Sequence, residues 1–251
     1  MTAPPGLQVD GLRKRFGGVS ALDDASLAVK PGELHALIGP NGAGKTTLIQ
    51  LVSGAERADA GRIVLDGAVI DGLPMHRRVA LGLARSFQIS SVFPAFTVLE
   101  NVALAIQARS RARCAVWRPV AGQAALFEPA RRVLDVVGLG ARSDIAAGAL
   151  SHGERRRLEI GLTVATGARL LLLDEPLAGL GPDESARVVA LLRTFKGQAG
   201  ILLVEHDMDA VFQLADRISV LVHGRVIASG VPQAIRAHPE VRRAYLGEST
   251  A

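Results

Sequence analysis

Apolar residues recur along the chain with two different spacings. Leu7, Val9 and Leu12 are separated by small or polar residues, and Leu27 and Val29 alternate within Leu22 to Lys30, ahead of the Pro31-Gly32 turn. A period of two predicts strands. Arg62-Ile63-Val64-Leu65 and Ala68-Val69-Ile70 flank Asp66-Gly67, a strong short hairpin signal. The front of the chain therefore predicts an antiparallel β lobe. Other runs do not alternate. Leu34 to Ile38 is apolar throughout, as are Leu170 to Leu173 and Ile201 to Val204. The four consecutive leucines predict a parallel strand covered on both faces. Asp183 to Thr194 lies between the last two runs as one helix length, which a βαβ unit requires.

Between Pro74 and Leu150 the spacing turns helical. Arg77 to Arg85 reads as a basic helical stretch. Thr97 with Glu100, ahead of Val102, Leu104 and Ile106, is a capping-box helix start, and Ala130 to Val137 is a further helix stopped by Gly138. Ser151 with Glu154 repeats the capping pattern before Leu158, Leu162 and Ala165. Ile218 to Val222, His223-Gly224 and Arg225 to Ala228 predict another hairpin, with a short helix around Pro232 to Arg236. The fold class is α/β: a nucleotide core with an antiparallel β lobe and a helical subdomain. All of residues 1–251 form one domain, with the helical part at about 74–165.

The chemistry centres on Gly39-Pro40-Asn41-Gly42-Ala43-Gly44-Lys45-Thr46. An apolar strand leads in and a helix-like stretch, Lys45 to Leu51, leads out, the context a phosphate loop needs. Glycines let backbone N–H groups approach phosphate oxygens, and the helix N-terminus adds partial positive charge. Lys45 is placed to reach the β- and γ-phosphates, the Thr46 hydroxyl to sit on Mg²⁺, and Thr47 counts with the nucleotide-binding residues. Asp174 and Glu175 end the leucine strand, where ligands bind in open α/β sheets. Asp174 is read as the Mg²⁺ carboxylate and Glu175 as the group that polarises the attacking water. His206 ends the next strand and is read as a γ-phosphate contact that orients water; a satisfied loop histidine is the bland alternative. Phe16 sits in Arg13-Lys14-Arg15-Phe16-Gly17-Gly18, where it serves either as a stacking face for a base or as a strand-end core residue.

Composition narrows the setting. Hydrophobic residues make up 49% with few aromatics, as in a soluble Ala/Leu/Val-rich α/β protein. No apolar stretch approaches the ~18 residues that span a bilayer, and Met1 to Gly6 is not a secretory signal, so a cytosolic chain is expected. Cys114 is the lone cysteine, which excludes an internal disulfide and a cysteine metal cluster. The net charge of +5 is read as a solvated arginine-rich face, with Arg109, Arg111, Arg113 and Arg118 around Trp117 as a surface connection.

Gly39 to Thr46, Gln88, Leu150-Ser151-His152-Gly153-Glu154, Leu170 to Glu175 and His206, in that order, resemble the motifs of an ATP-binding-cassette (ABC) ATPase. Arg15-Phe16-Gly17-Gly18, Ala84-Arg85-Ser86-Phe87-Gln88, Glu175-Pro176-Leu177-Ala178-Gly179-Leu180, Val204-Glu205-His206-Asp207-Met208 and Ala244-Tyr245-Leu246-Gly247 look like the ATPase of branched-chain amino acid importers; relatives serving urea or short amides look similar. The resemblance implies a P-loop NTPase core and ATP hydrolysis driving solute import. Phe16 stacks on adenine, and Gln88 touches Mg²⁺ or water. Ser151, Gly153 and Glu154 belong to the signature stretch that completes the ATP site of a second ABC ATPase, a related chain rather than an identical one. The helical region grips membrane permease subunits, and a periplasmic or surface solute-binding protein takes part indirectly. The chain is then peripheral, on the cytoplasmic face of the membrane, with no nucleic acid partner. Two positions depart from the family: His152 stands where many members have Gly, and Gly181 where an Asp or Asn follows Ala178-Gly179-Leu180. Weakened or asymmetric coupling of the two sites is the expected result. Alternatives are urea or amide import, lipid export, and a soluble ABC ATPase in DNA repair or translation.

Overall fold

The computed structural model describes residues 6–86, 92–109 and 124–244. Two sheets organise it. Strands β1 (Leu7–Phe16) and β2 (Val19–Val29) pair antiparallel, β4 (Ala60–Leu65) lies on the other side of β1, and β5 (Ala68–Val69) closes the edge. Asp66-Gly67 makes the β4–β5 turn, as its sequence predicts.

The second sheet is the nucleotide-core type. Strand β3 (Leu34–Ile38) lies between β8 (Gly200–Val204) and β9 (Arg217–Val222), and β7 (Leu170–Asp174) lies beyond β8. All four run parallel, and β10 (Arg225–Gly230) returns antiparallel on β9. The unbroken apolar runs are explained by two separate cores. Leu171, Leu173, Ile201 and Leu203 face the helices of one core, while Leu170, Leu172, Leu202 and Val204 face the β lobe and α1 (Lys45–Ser53). Alternation along each strand is real, but both faces want apolar side chains.

One expectation fails. The basic stretch Arg77 to Arg85 is not one helix. Helix α2 (Met75–Ala80) ends early, Gly82 turns at φ 94°, and Leu83–Arg85 forms β6, parallel to β7 at the sheet edge. Burial of Leu83 and Ala84 and the ladder to Leu170 and Leu171 outweigh the helix preference of these residues.

Helices α3 (Val98–Arg109), α4 (Ala124–Val136) and α5 (His152–Ala165) pack on one another. Thr97 caps α3 reciprocally with Glu100, and Gly138 follows α4. Helices α6 (Pro182–Phe195) and α7 (Met208–Leu214) link β7, β8 and β9 in sequence, and α8 (Pro232–Ala237) and α9 (Pro239–Ala244) end the described chain. Gln88, Phe87, Cys114, Trp117 with its neighbouring arginines 111, 113 and 118, and residues 245–247 lie outside the described residues.

Candidate functional site

The site forms where β3, β7 and β8 end on the same side of a parallel sheet, so that the residues leaving each strand converge. Gly39 to Gly44 connect β3 to α1. Gly44 is the N-cap of α1 at φ 107°, and no side chain caps the first turn. A Cβ at Gly44 would meet the Ala21 carbonyl and come within 2.8 Å of Leu22, so the β lobe permits only glycine there. Pro40 and Ala43 close a tight turn within the loop (3.2 Å), and Gly224 from the β9–β10 turn donates to the Ala43 carbonyl at 2.9 Å.

Lys45 folds back over this loop. Its ammonium donates to the Gly39 carbonyl at 2.7 Å and the Pro40 carbonyl at 3.1 Å. Burial pushes its pKa below the ordinary lysine range, with Glu175 and Asp174 opposing that shift. Asn41, Gly42 and Thr46 are exposed, and Thr47 is half-buried. The loop therefore presents one held cation, one open hydroxyl and the free N–H groups of a helix start, a set that suits a polyphosphate.

Asp174 ends β7 with only 1% of its surface exposed. Neither carboxylate oxygen accepts a hydrogen bond among the described residues. Burial raises its pKa, and the Arg85 guanidinium 3.6 Å away, at the end of β6, is the largest opposing influence. An unsatisfied buried carboxylate is a costly arrangement, and it fits a residue that completes its bonding with a metal-bound water. Among the described residues no group of three His, Cys, Asp or Glu is placed to hold a metal. A carboxylate and a hydroxyl are oxygen donors of the kind that suit Mg²⁺, which is usually bound by one or two carboxylates together with substrate phosphates and water.

Glu175 follows at φ 48°, a left-handed conformation that is uncommon for a residue with a side chain. Its N–H continues the ladder to the Val204 carbonyl at 2.9 Å. The carboxylate is partly exposed, and His206 Nδ1 approaches Glu175 Oε1 at 4.0 Å. His206 is 62% exposed in the loop after β8, and its Nδ1 also lies 3.8 Å from Glu205 Oε2. Phe16 ends β1 at 45% exposure, with Lys14 over its ring at 5.0 Å. A core role for it is excluded, and the Lys14 ammonium lies over one face of the ring.

Ser151 caps α5. Its hydroxyl accepts from the Glu154 N–H at 3.2 Å while Glu154 Oε2 accepts from the Ser151 N–H at 2.9 Å. That backbone hydrogen bond, with Arg142 beside it, holds the Glu154 carboxyl below its usual range. The structure sets this stretch against the segment after β7. Any Cβ on Gly153 would strike the Glu184 carboxylate, and His152 Nε2 lies 3.5 Å from the Ala178 carbonyl. Gly181 caps α6 in an extended conformation with no side-chain bond.

The structure also brings in side chains to which the sequence assigned no role: Arg85 on Asp174, Arg156 on the Glu175 and Pro176 carbonyls, and Glu205 beneath Leu177 and His206. Burial raises the Glu205 pKa against hydrogen bonds from the Leu177, His206 and Asp207 N–H groups. An acid ending an otherwise apolar strand is the signal that points to Glu205. Arg156 lies in an arginine run with nothing to distinguish it.

The sequence profile of the family described as ABC transporter matches residues 22–178, and that of the branched-chain amino acid ATP-binding cassette transporter family matches residues 225–251. The chain is 37% identical over 252 residues to the high-affinity branched-chain amino acid transport ATP-binding protein BraF of Pseudomonas aeruginosa, covering 98% of this chain and 99% of BraF. It is 37% identical over 254 residues to LivG of Escherichia coli, which carries the same description, with 98% and 99% covered. Among solved structures, an ATP-binding cassette of an ABC transporter in its ADP conformation superposes with a TM-score of 0.84 at 29% identity, covering 98% of this chain and all of that one. A nucleotide-free cassette superposes with a TM-score of 0.83 at 28% identity and the same coverage.

Proposed function

This chain belongs to the ABC transporter family, and on that premise we propose that it is the ATP-hydrolysing subunit that drives import of branched-chain or closely related amino acids. The observation that carries the reading is the convergence of Lys45, Asp174, Glu175 and His206 at the ends of β3, β7 and β8. Backbone N–H groups between Asn41 and Thr46 hold the phosphates, with Gly39, Pro40, Gly42, Ala43 and Gly44 shaping the loop and Thr47 supporting it. Lys45 exchanges its two carbonyl partners for phosphate oxygens, a stronger charge-assisted pairing. Thr46, Asp174 and Gln88 hold Mg²⁺, which when bound neutralises charge on the phosphoryl oxygens. Glu175 accepts the proton of the attacking water, His206 positions that water against the phosphate, and Phe16 offers its face to adenine.

The N-terminus of α5, at Ser151, Gly153 and Glu154, completes the site of a second ABC ATPase, a related chain. Membrane permease subunits dock at an open apolar groove of 420 Å³ between the nucleotide core and the helical region, lined in part by Val79, Leu83, Phe93, Leu104 and Leu162. No helix among the described residues is long and apolar enough to cross a membrane, so attachment to the cytoplasmic face runs through these contacts. The solute-binding protein meets the permease, not this chain.

Reconstitution with the permease subunits in proteoliposomes tests this reading. ATP-dependent uptake of leucine, isoleucine and valine is expected, in preference to urea and acetamide. Lys45→Ala is expected to weaken ATP binding by about 10- to 100-fold, the loss of a charge-assisted hydrogen-bonding group, and to abolish uptake. Uptake of urea or acetamide alone would reassign the solute; ATP binding unaffected by Lys45→Ala would overturn the phosphate assignment. Gly181→Asp probes the coupling of the two sites. Nothing lies within 4 Å of a Cβ there, and φ is −72°, so the aspartate fits as a helix cap. It is expected to add a few tenths of a kcal/mol of stability and to strengthen ATPase cooperativity in the assembled transporter. Unchanged cooperativity would remove position 181 from the communication between sites.

A further inference from the structure

The backbone just after β7 is held from two sides by charged groups of opposite sign. From α5, Arg156 donates through Nε to the Pro176 carbonyl at 2.9 Å and through Nη2 to the Glu175 carbonyl. Its remaining terminal nitrogen pairs with Glu159 Oε2 at 3.0 Å, one turn along the same helix, and both side chains are about nine-tenths buried. From the end of β8, the Glu205 carboxylate accepts from the Leu177 N–H at 2.7 Å and from the His206 N–H at 3.0 Å. Glu205 is 1% exposed. Three consecutive residues are therefore fixed through main-chain atoms, and the first of them is Glu175, in its left-handed conformation at φ 48°. A conformation of this kind is strained and persists only where its surroundings over-determine it. Arg156 and Glu205 supply that determination.

The anchors come from different bodies of the fold. Glu205 belongs to the central sheet and also holds the backbone of His206, so it sets Glu175 and His206 relative to each other. Arg156 belongs to α5, whose first turn carries Ser151 and Gly153. A rotation of α5 moves Arg156 with it, and the guanidinium is bonded to the carbonyl of Glu175 itself. A fork of planar donors spanning two adjacent carbonyls resists such displacement better than a lysine, which offers one compact head.

We propose that Arg156 and Glu205 are positioning residues for hydrolysis, and that Arg156 transmits the orientation of the signature helix α5 to the proton acceptor Glu175. The proposal rests on the reading of Glu175 as that acceptor. Arg156 acts through the peptide it holds. Misplacing a reacting group by about 1 Å costs on the order of 100-fold in rate, so a loosened Glu175 lowers turnover without lowering affinity for ATP.

The experiment has two arms. In the isolated chain, hydrogen–deuterium exchange over residues 175–178 is followed for wild type, Arg156→Met and Glu205→Gln. Glutamine keeps the shape of Glu205 but accepts at only one of its two terminal positions, so it cannot hold both Leu177 and His206 as the carboxylate does. Both variants are expected to exchange faster in this segment, with exchange over β3 and α1 unchanged. In the transporter assembled with its permease, Arg156→Met is expected to lower kcat by about 10- to 100-fold while KM for ATP stays within about twofold of wild type. Arg156→Lys is expected to recover part of kcat, and it serves in place of Arg156→Met if that variant does not fold. In a Glu175→Gln background, Arg156→Met is expected to lower kcat no further, because residues that act as a unit are not additive. Full additivity, or an unchanged kcat in the single variant, overturns the proposal. Wild-type complex without ATPase activity would overturn the assignment of Glu175 instead, while a protected segment that loosens in both variants would still establish the clamp.

Discussion

Glu175→Gln is expected to lower ATP turnover by about 10²- to 10⁴-fold, the usual contribution of a positioned proton acceptor, while ATP still binds. The expectation follows from which contacts change. Glutamine is close to glutamate in shape, and the backbone bonds that fix position 175, from Arg156 and to Val204, do not involve the carboxylate. The phosphate cradle is untouched, since Lys45 is anchored by the Gly39 and Pro40 carbonyls. What disappears is the proposed proton acceptor beside His206. The measurement is the mass in solution of Glu175→Gln with Mg-ATP, beside Lys45→Ala. An ATP-dependent dimer absent from Lys45→Ala would show that this chain pairs with itself when hydrolysis is blocked. A monomer that still binds ATP would place the second site on a different chain, or make closure depend on the permease. Turnover equal to wild type would remove Glu175 from the chemistry.

Arg78→Met is expected to destabilise the chain by about 3 kcal/mol or more, the range for removing one side of a buried charged hydrogen-bonding arrangement. Arg78 is 1% exposed, and burial lowers its pKa, with the Asp71 charge opposing that shift. Its guanidinium donates to four carbonyls: Leu51 at 2.7 Å and Val52 at 2.9 Å at the end of α1, Leu73 at 2.8 Å and Asp71 at 3.0 Å. A cation at that end of α1 also complements the negative pole of the helix. Methionine keeps much of the volume and leaves all four acceptors without this donor. For a chain of this size the melting midpoint should fall by about 6–12 °C, and urea unfolding should report the same loss. A shift under about 2 °C would mean that water replaces the guanidinium at little cost. Because α1 starts at Lys45, the variant also reports how far phosphate binding depends on the far end of the same helix.

These cases show what the sequence discloses and what it conceals. The phosphate loop is legible because its function needs contiguous residues between a strand and a helix. Asp174, Glu175 and His206 are legible because polar residues stand out at the ends of apolar strands. The turns at Asp66-Gly67 and His223-Gly224 are legible because local conformation dictates residue type. Arg78 and Arg156 are different. Their partners are main-chain atoms, which every residue possesses, so no sequence pattern marks the pairing. Strand β6 is concealed for a related reason: three residues carry no periodicity, and their partner strand begins at Leu170. Ser151 and Glu154 carry two meanings at once. The structure satisfies the capping box completely, and the signature reading rests on family resemblance.

The register of the central sheet has a consequence for synthesis on the ribosome. Strand β3, which leads into the phosphate loop, pairs on one side with β8 at Leu34↔Ile201 and on the other with β9 at His35↔Arg217. Both neighbours are made more than 150 residues after β3. The antiparallel lobe, by contrast, draws all its strands from Leu7 to Val69 and can assemble while the rest is still being translated. The phosphate loop thus emerges early and waits, without its flanking strands, until nearly the whole chain has been made. A nascent chain is then unable to bind nucleotide in the finished way, and truncated products lacking β8 and β9 expose the apolar edges of β3 and β7 to aggregation or to proteolysis.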